Sequence, residues 1–208
     1  MKDDFLLAGR VALDLLREPE VGTSWNRPSA LPEFSVAGLA AHLAYQVIFV
    51  PGVLDAPRPV EETVPLLEHY ARSAWVGADL DAEVNVGIRE NSEKAAGDGR
   101  DALVARLEEA LDDLAGRDFQ GDRPARFPFW GPWSLRLDDL LVTRMMEMVV
   151  HADDLAVSVG VPTPEFPPRV IEPVLDLLSR LALRRHGQTA VVRALSRAER
   201  SPGVIAAF

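Results

Sequence analysis

Apolar residues recur along this chain every three or four positions, and runs of strict alternation are hard to find, so the pattern predicts an all-α protein. "DDFLLAGRVALDLLRE" reads as a first helix, with Asp3 and Asp4 suited to its N-terminal end and Pro19 just beyond it. A proline-rich loop, "PEVGTSWNRPSALPEF", leads to Ser35, a natural cap for the second helix, "SVAGLAAHLAYQVIFV". Gly38 and the alanines there allow another helix to come close, and Pro51 and Gly52 are expected to end it. A third helical region is predicted over roughly 60–77, with Pro65 in its first turn or at a kink. A fourth runs from about 82 to 116 and breaks at Gly97–Gly99.

The next segment, "GRDFQGDRPARFPFWGPW", is too rich in Pro, Gly and aromatic residues to be helical and reads as a loop folded against the body of the protein over a cavity. Ser134 is the expected cap of a long helix that reaches Ser158 and stops at Gly160 and Pro162. A last pair, "PRVIEPVLDLLSRLALRRH" and "TAVVRALSRAER", is separated by Gly187. The simplest architecture is a four-helix bundle over residues 1–165 with a short helical C-terminal extension over 166–208.

Within the long helix, "RMMEMVVHADDLAVSVG" sets Arg144, Glu147, His151 and Asp154 among methionines, valines and leucines. At roughly 100° per residue the four fall on one side of the helix, a single polar stripe. Leu140, Leu141, Met148 and Leu155 lie on or beside that side, which turns the stripe toward the core. Charges buried there cost several kcal/mol each unless paired or ligated. Glu147 and His151 are one turn apart, close enough to bind one cation, and His42, among alanines in the second helix, is the natural third ligand. Two His and one Glu form the ligand set of a catalytic zinc site with one position open. Asp154 can orient the His151 ring, and Arg144 can hold an anionic substrate or neutralise Glu147.

Plainer accounts compete with each assignment. The E-x-x-x-H spacing is common by chance, His42 can be a satisfied core histidine, and Arg144 and Glu147 can form no more than a buried ion pair. His69, beside Glu68 and Arg72, reads as a surface residue, and His186 reads as a helix-end cap. Arg193, Arg197 and Arg200 read as a solvated helix face rather than a carboxylate-binding surface.

Composition narrows the function. The formal net charge of −10 argues against nucleic acid and anionic membrane partners, which require a basic patch. The absence of cysteine removes disulfides, Cys-ligated metals and a thiolate nucleophile of the protein's own, so any thiol chemistry must use an external thiol. The N-terminal residues do not form a basic-then-apolar signal peptide, and no stretch reaches the roughly 20 apolar residues of a bilayer span, so a cytoplasmic protein is expected.

Two stretches, "SWNRPSALPEFSVAGLAAHLA" at 24–44 and "WGPWSLRLDDLLVTRMMEMVVHADDLAVSVGV" at 130–161, resemble the mycothiol-dependent maleylpyruvate isomerase family of DinB-like helical bundles. The resemblance rests on Trp25 with its Pro-containing loop, on "AAHLA", and on the pattern R-x-x-E-x-x-x-H-x-x-D-L ahead of a glycine, and it covers about residues 1–165. It implies a divalent metal, usually zinc, held by His42, Glu147 and His151. It also implies an S-transferase or isomerase activity in which mycothiol or a similar thiol attacks a small electrophile. Arg144 and Asp154 match family positions as catalytic candidates. Better-known members carry a larger C-terminal α/β domain than residues 161–208 can form. A zinc-water hydrolase on the same site and a non-catalytic binding or regulatory bundle are the alternatives, and homodimerisation stays open.

Overall fold

The computed structural model describes residues 1–127 and 129–208. Four helices form the bundle: α1 (Lys2–Arg17), α3 (Val36–Ile48), α7 (Arg100–Gly116) and α8 (Leu137–Val159). α8 packs against both α1 and α3, and α7 closes the other side of the same pair. Between α1 and α3 lies the short α2 (Pro19–Thr23), and α4 (Val50–Asp55) follows α3. α5 (Leu66–Arg72) and α6 (Glu83–Ala95) come before α7, with α6 lying along α3. The protein is a predominantly helical bundle, as the periodicity predicts.

The core is continuous. Phe5 and Leu16 of α1, Leu39 and Leu43 of α3, Leu103 and Leu107 of α7, and Leu140, Leu141 and Met148 of α8 are fully buried. Burial of such side chains away from water is the main favourable term in folding. The helices approach closely at Gly9, where an added Cβ would sit 2.7 Å from Leu111 of α7 and 3.1 Å from Val47 of α3.

Ser35 caps α3 as expected, its Oγ accepting from the Gly38 N–H at 2.9 Å. The same hydroxyl donates to Glu93 of α6 at 2.8 Å, and the Ser35 N–H donates to the other oxygen of that carboxylate. One serine thus fixes the start of the helix that carries His42 and ties it to α6. Ser35→Ala is expected to lower the unfolding free energy by about 1–2 kcal/mol, read from the urea midpoint.

Several elements differ from the sequence reading. Pro51 and Gly52 do not end a helix: α3 stops at Ile48 and Pro51 lies in the first turn of α4, where a missing N–H is harmless. The region over 60–77 is helical only from Leu66 to Arg72, with Pro65 as its N-cap residue. Ser134 does not cap α8, whose N-cap residue is Arg136. Its hydroxyl instead meets Thr63 Oγ1 at 2.9 Å and faces the Glu61 and Glu62 carbonyls, pinning the segment before α5 to the segment before α8. Two-residue strands, β1 (Pro124–Ala125) and β2 (Leu135–Arg136), pair antiparallel and frame the aromatic loop. The breaks near Gly99 and Gly160 fall where expected, both glycines having positive φ.

The residues after α8 form α9 (Pro168–Ser196), broken at Gly187 with φ 79°, and its first part packs on α8 and α1. His186 does not cap a helix end; its Nε2 bonds the Ala206 carbonyl at 2.8 Å. Arg193, Arg197 and Arg200 are exposed. Val36–Asp55 is a 20-residue apolar run of mean hydropathy 1.6, long and apolar enough by those measures to cross a bilayer, contrary to the sequence reading. It is two-thirds buried in the bundle and forms α3 and α4, with Phe49 between them.

Candidate metal centre

α3 and α8 pack side by side, and their polar residues meet across that contact. His42 Nε2 of α3 lies 3.4 Å from Glu147 Oε2 of α8, and His151 Nε2 lies 3.1 Å from the same oxygen. The three potential ligand atoms all fall within 4.8 Å of one another. Atoms on a tetrahedron around zinc, at the usual zinc–nitrogen and zinc–oxygen lengths, stand about 3.3 Å apart. The trio's spacing therefore fits one small divalent cation. Side-chain exposure of 20, 14 and 18 % for His42, Glu147 and His151 leaves the group reachable from solvent.

Proton placement supports the same reading. His151 Nδ1 lies 2.9 Å from Asp154 Oδ2, a carboxylate that can only accept, so Nδ1 carries a proton. His42 Nδ1 lies 3.4 Å from Ser92 Oγ, whose single proton goes to the Ile88 carbonyl at 2.8 Å, so the Nδ1–H of His42 donates to that oxygen. In neutral imidazoles both Nε2 lone pairs then face the Glu147 carboxylate. Three acceptors pointed at one another need a cation or a proton between them, and the orienting partners on the far nitrogens are those of a metal-bound histidine.

Without a metal, a proton takes that place. Burial alone would push the His151 imidazole down, but the hydrogen bonds to Asp154 and Glu147 outweigh it and lift its pKa to about 9. Burial favours the neutral acid at Glu147, yet its bonds to His151 and His42 hold it well below the usual carboxylate range. His42 is lowered, first by burial, with the positive charges of His151 and Arg144 adding to the shift. The resting pair is a carboxylate and an imidazolium beside one neutral imidazole.

Arg144 does not pair with Glu147. Its Nη1 donates to Gln46 Oε1 at 2.5 Å and its Nε to Thr143 Oγ1 at 3.0 Å, and Gln46 in turn donates to the His42 carbonyl at 2.8 Å. The guanidinium carbon lies 5.3 Å from the Phe127 ring and 5.9 Å from the Trp130 ring. The aromatic loop thus builds a wall beside the trio. Gln46, four residues after His42 on the same helix face, was within reach of sequence reasoning; Ser92 was not, since nothing in the sequence ties α6 to His42.

His69 is no surface residue. It is 3 % exposed, and its Nδ1 accepts from Trp133 Nε1–H at 3.0 Å, while its ring lies 4.4 Å from that of Trp130. Glu68 and Arg72 do pair with each other at the surface. A separate cleft of about 610 Å³ lies between α5, the start of α8 and α9. Its charged rim is closed on itself by the Arg136–Asp139 and Arg180–Asp176 pairs, and none of the trio lines it.

A helical bundle in which two histidines and a glutamate converge from two neighbouring helices defines a DinB-like protein with a candidate divalent-metal centre. Its sequence matches that of the mycothiol maleylpyruvate isomerase N-terminal domain over residues 6–156, and the chain belongs to that family. Comparison with curated proteins and with solved structures gives no match.

Proposed function

We propose that this protein is a metal-dependent transferase or isomerase that uses an external low-molecular-weight thiol, mycothiol or a relative of it, to attack a small electrophile. The observation that carries this reading is the convergence of His42 Nε2, Glu147 Oε2 and His151 Nε2, each imidazole turned by a partner on its far nitrogen so that its lone pair faces inward. A divalent ion held there, zinc by the donor set, supplies the positive field that keeps a bound thiol as thiolate at neutral pH. The family's link to mycothiol and the absence of any cysteine in the chain point the same way.

The chain's own residues divide the remaining work. Asp154 holds the His151 ring in its Nε2-ligating tautomer. Arg144, fixed by Gln46 and Thr143 and walled by Phe127 and Trp130, presents a positive charge beside the trio to an anionic group of the electrophile. The rings beside Arg144 lower the local polarity, which strengthens the field of its charge. Asp154→Asn is expected to weaken zinc binding about tenfold while leaving the helix content unchanged, measured by chelator competition and circular dichroism.

Elemental analysis of the purified protein, followed by thiol titration of the cobalt(II)-substituted form, tests the reading. One metal per chain and a new thiolate-to-cobalt absorption band are expected. Substrate turnover that needs metal but no thiol would replace it with the hydrolytic alternative.

A further inference from the structure

Two groups on α5 have no role in the metal centre and are placed as binding groups. Tyr70 is 3 % exposed, and its hydroxyl has no hydrogen-bond partner among the described residues. A phenol oxygen shut away from water without a partner is unfavourable, and such groups persist where a ligand supplies the missing bond. His69, next in sequence, accepts at Nδ1 from Trp133, so in its neutral form the proton sits on Nε2, which makes no hydrogen bond among the described residues. Burial holds the His69 imidazole at about 4, so it stays neutral and keeps that N–H as a donor.

A chain of ring contacts links both groups to Arg144. The ring of Tyr70 is 5.1 Å from that of His69, the His69 ring is 4.4 Å from Trp130, and the Trp130 ring is 5.9 Å from the Arg144 guanidinium carbon. Tyr70 and His69 each feel the charges of both Glu147 and Arg144. Arg144 itself hydrogen-bonds only neutral partners among the described residues, which leaves its guanidinium free of a direct ion pair there. A guanidinium, an imidazole N–H and a phenol O–H are thus three donors linked by these contacts, and none carries negative charge.

We propose that the Tyr70 hydroxyl and the His69 Nε2–H, both carried by α5, join Arg144 in a wall of hydrogen-bond donors that receives a carboxylate of the electrophile. This rests on the proposed function for the identity of the ligand, and adds to it two binding residues. Arg144 supplies the charge, and Tyr70 and His69 supply direction, so that the reacting carbon of the bound electrophile is turned toward the trio. The aromatic loop then has a task in recognition: Trp133 fixes the His69 tautomer, and Trp130 spans the space between His69 and Arg144.

The test compares fumarate with its uncharged isostere fumaramide, titrated calorimetrically into the zinc-loaded full chain and into its Tyr70→Phe variant. Wild type is expected to bind fumarate at least about tenfold more tightly than fumaramide. Tyr70→Phe is expected to lose about tenfold or more in fumarate affinity, the size of one hydrogen bond to a charged group, with fumaramide binding unchanged. Zinc stoichiometry and melting temperature should not fall, because the variant removes an oxygen that bonds nothing in the protein. Equal fumarate affinity in the two proteins, as when zinc alone holds the anion, would overturn the proposal, and so would a wild type that does not discriminate between the two ligands. Titrating the cobalt(II)-substituted protein with N-acetylcysteine separates the two readings. A thiolate band together with Tyr70-independent fumarate binding sinks the anion wall alone, whereas Tyr70-dependent binding without a band sustains the wall and removes the thiol.

Discussion

His151→Ala is expected to abolish metal binding and, with it, all thiol transfer, while leaving a folded helical bundle. The change removes one of three ligand atoms and leaves His42 and Glu147 as a two-point site. Loss of an orienting partner alone typically costs ten- to a hundredfold in metal affinity, so loss of a ligand should exceed about a hundredfold. The fold should survive because α8 keeps its apolar anchors on and beside the stripe: Leu137, Leu140, Leu141, Met145, Met148, Ala152 and Leu155 are all fully buried. Glu147 and Asp154 would still lose the imidazolium between them, so the metal-free variant should be less stable than metal-free wild type near neutral pH. Elemental analysis and circular dichroism of the same preparation check both halves. One metal per chain retained in His151→Ala would remove the residue from the ligand set.

The bundle and its polar stripe were legible because both are written in short-range periodicity. Arg144, Glu147, His151 and Asp154 share a helix face by arithmetic alone, and a helix of alanines and leucines interrupted by His42 leaves few places for that imidazole other than the interior. What periodicity does not carry is which helices face each other. That α6 brings Ser92 to the far nitrogen of His42, and that α5 turns His69 inward against Trp133, depend on contacts between segments fifty or more residues apart. His69 looked exposed because Glu68 and Arg72 flank it; those two pair with each other at the surface while the imidazole is covered by Trp130 and Trp133.

The misplaced starts of α5 and α8 share a cause. Ser134 and the segment before α5 are taken up by contacts with each other: the Ser134 hydroxyl meets Thr63 Oγ1 and faces the Glu61 and Glu62 carbonyls, and the Val64 N–H donates to the Ser134 carbonyl at 2.9 Å. Capping preference is worth about 1 kcal/mol, and the bonds made across this junction outweigh it. This junction joins the aromatic loop to α5, so the same contacts that spoiled the helix boundaries set Trp130 and Trp133 against His69.

Zinc affinity should rise steeply with pH, by about tenfold per unit from pH 7 up to about 9, and flatten above that. The metal and a proton compete for one place, the Nε2 of His151, whose pKa in the metal-free protein is about 9. His42, lowered chiefly by burial, is already neutral at pH 7, and Glu147 is already ionised, so a single proton is displaced over this range. The metal-free protein should respond in the opposite sense. The His151 pKa is higher in the folded chain than the usual 6.5, so its contribution to stability is complete below about pH 6.5 and is lost as pH climbs through about 9. Glu147 adds its share only above its unfolded range, and loses it as pH falls through its depressed value. Competition with a chromophoric chelator at pH 7, 8 and 9 should return a gain of about a hundredfold across the series, while the urea midpoint of the metal-free protein falls over the same interval. A flat affinity profile would mean that His151 does not carry the displaced proton, and with it the Glu147–His151 pair would lose its place at the centre.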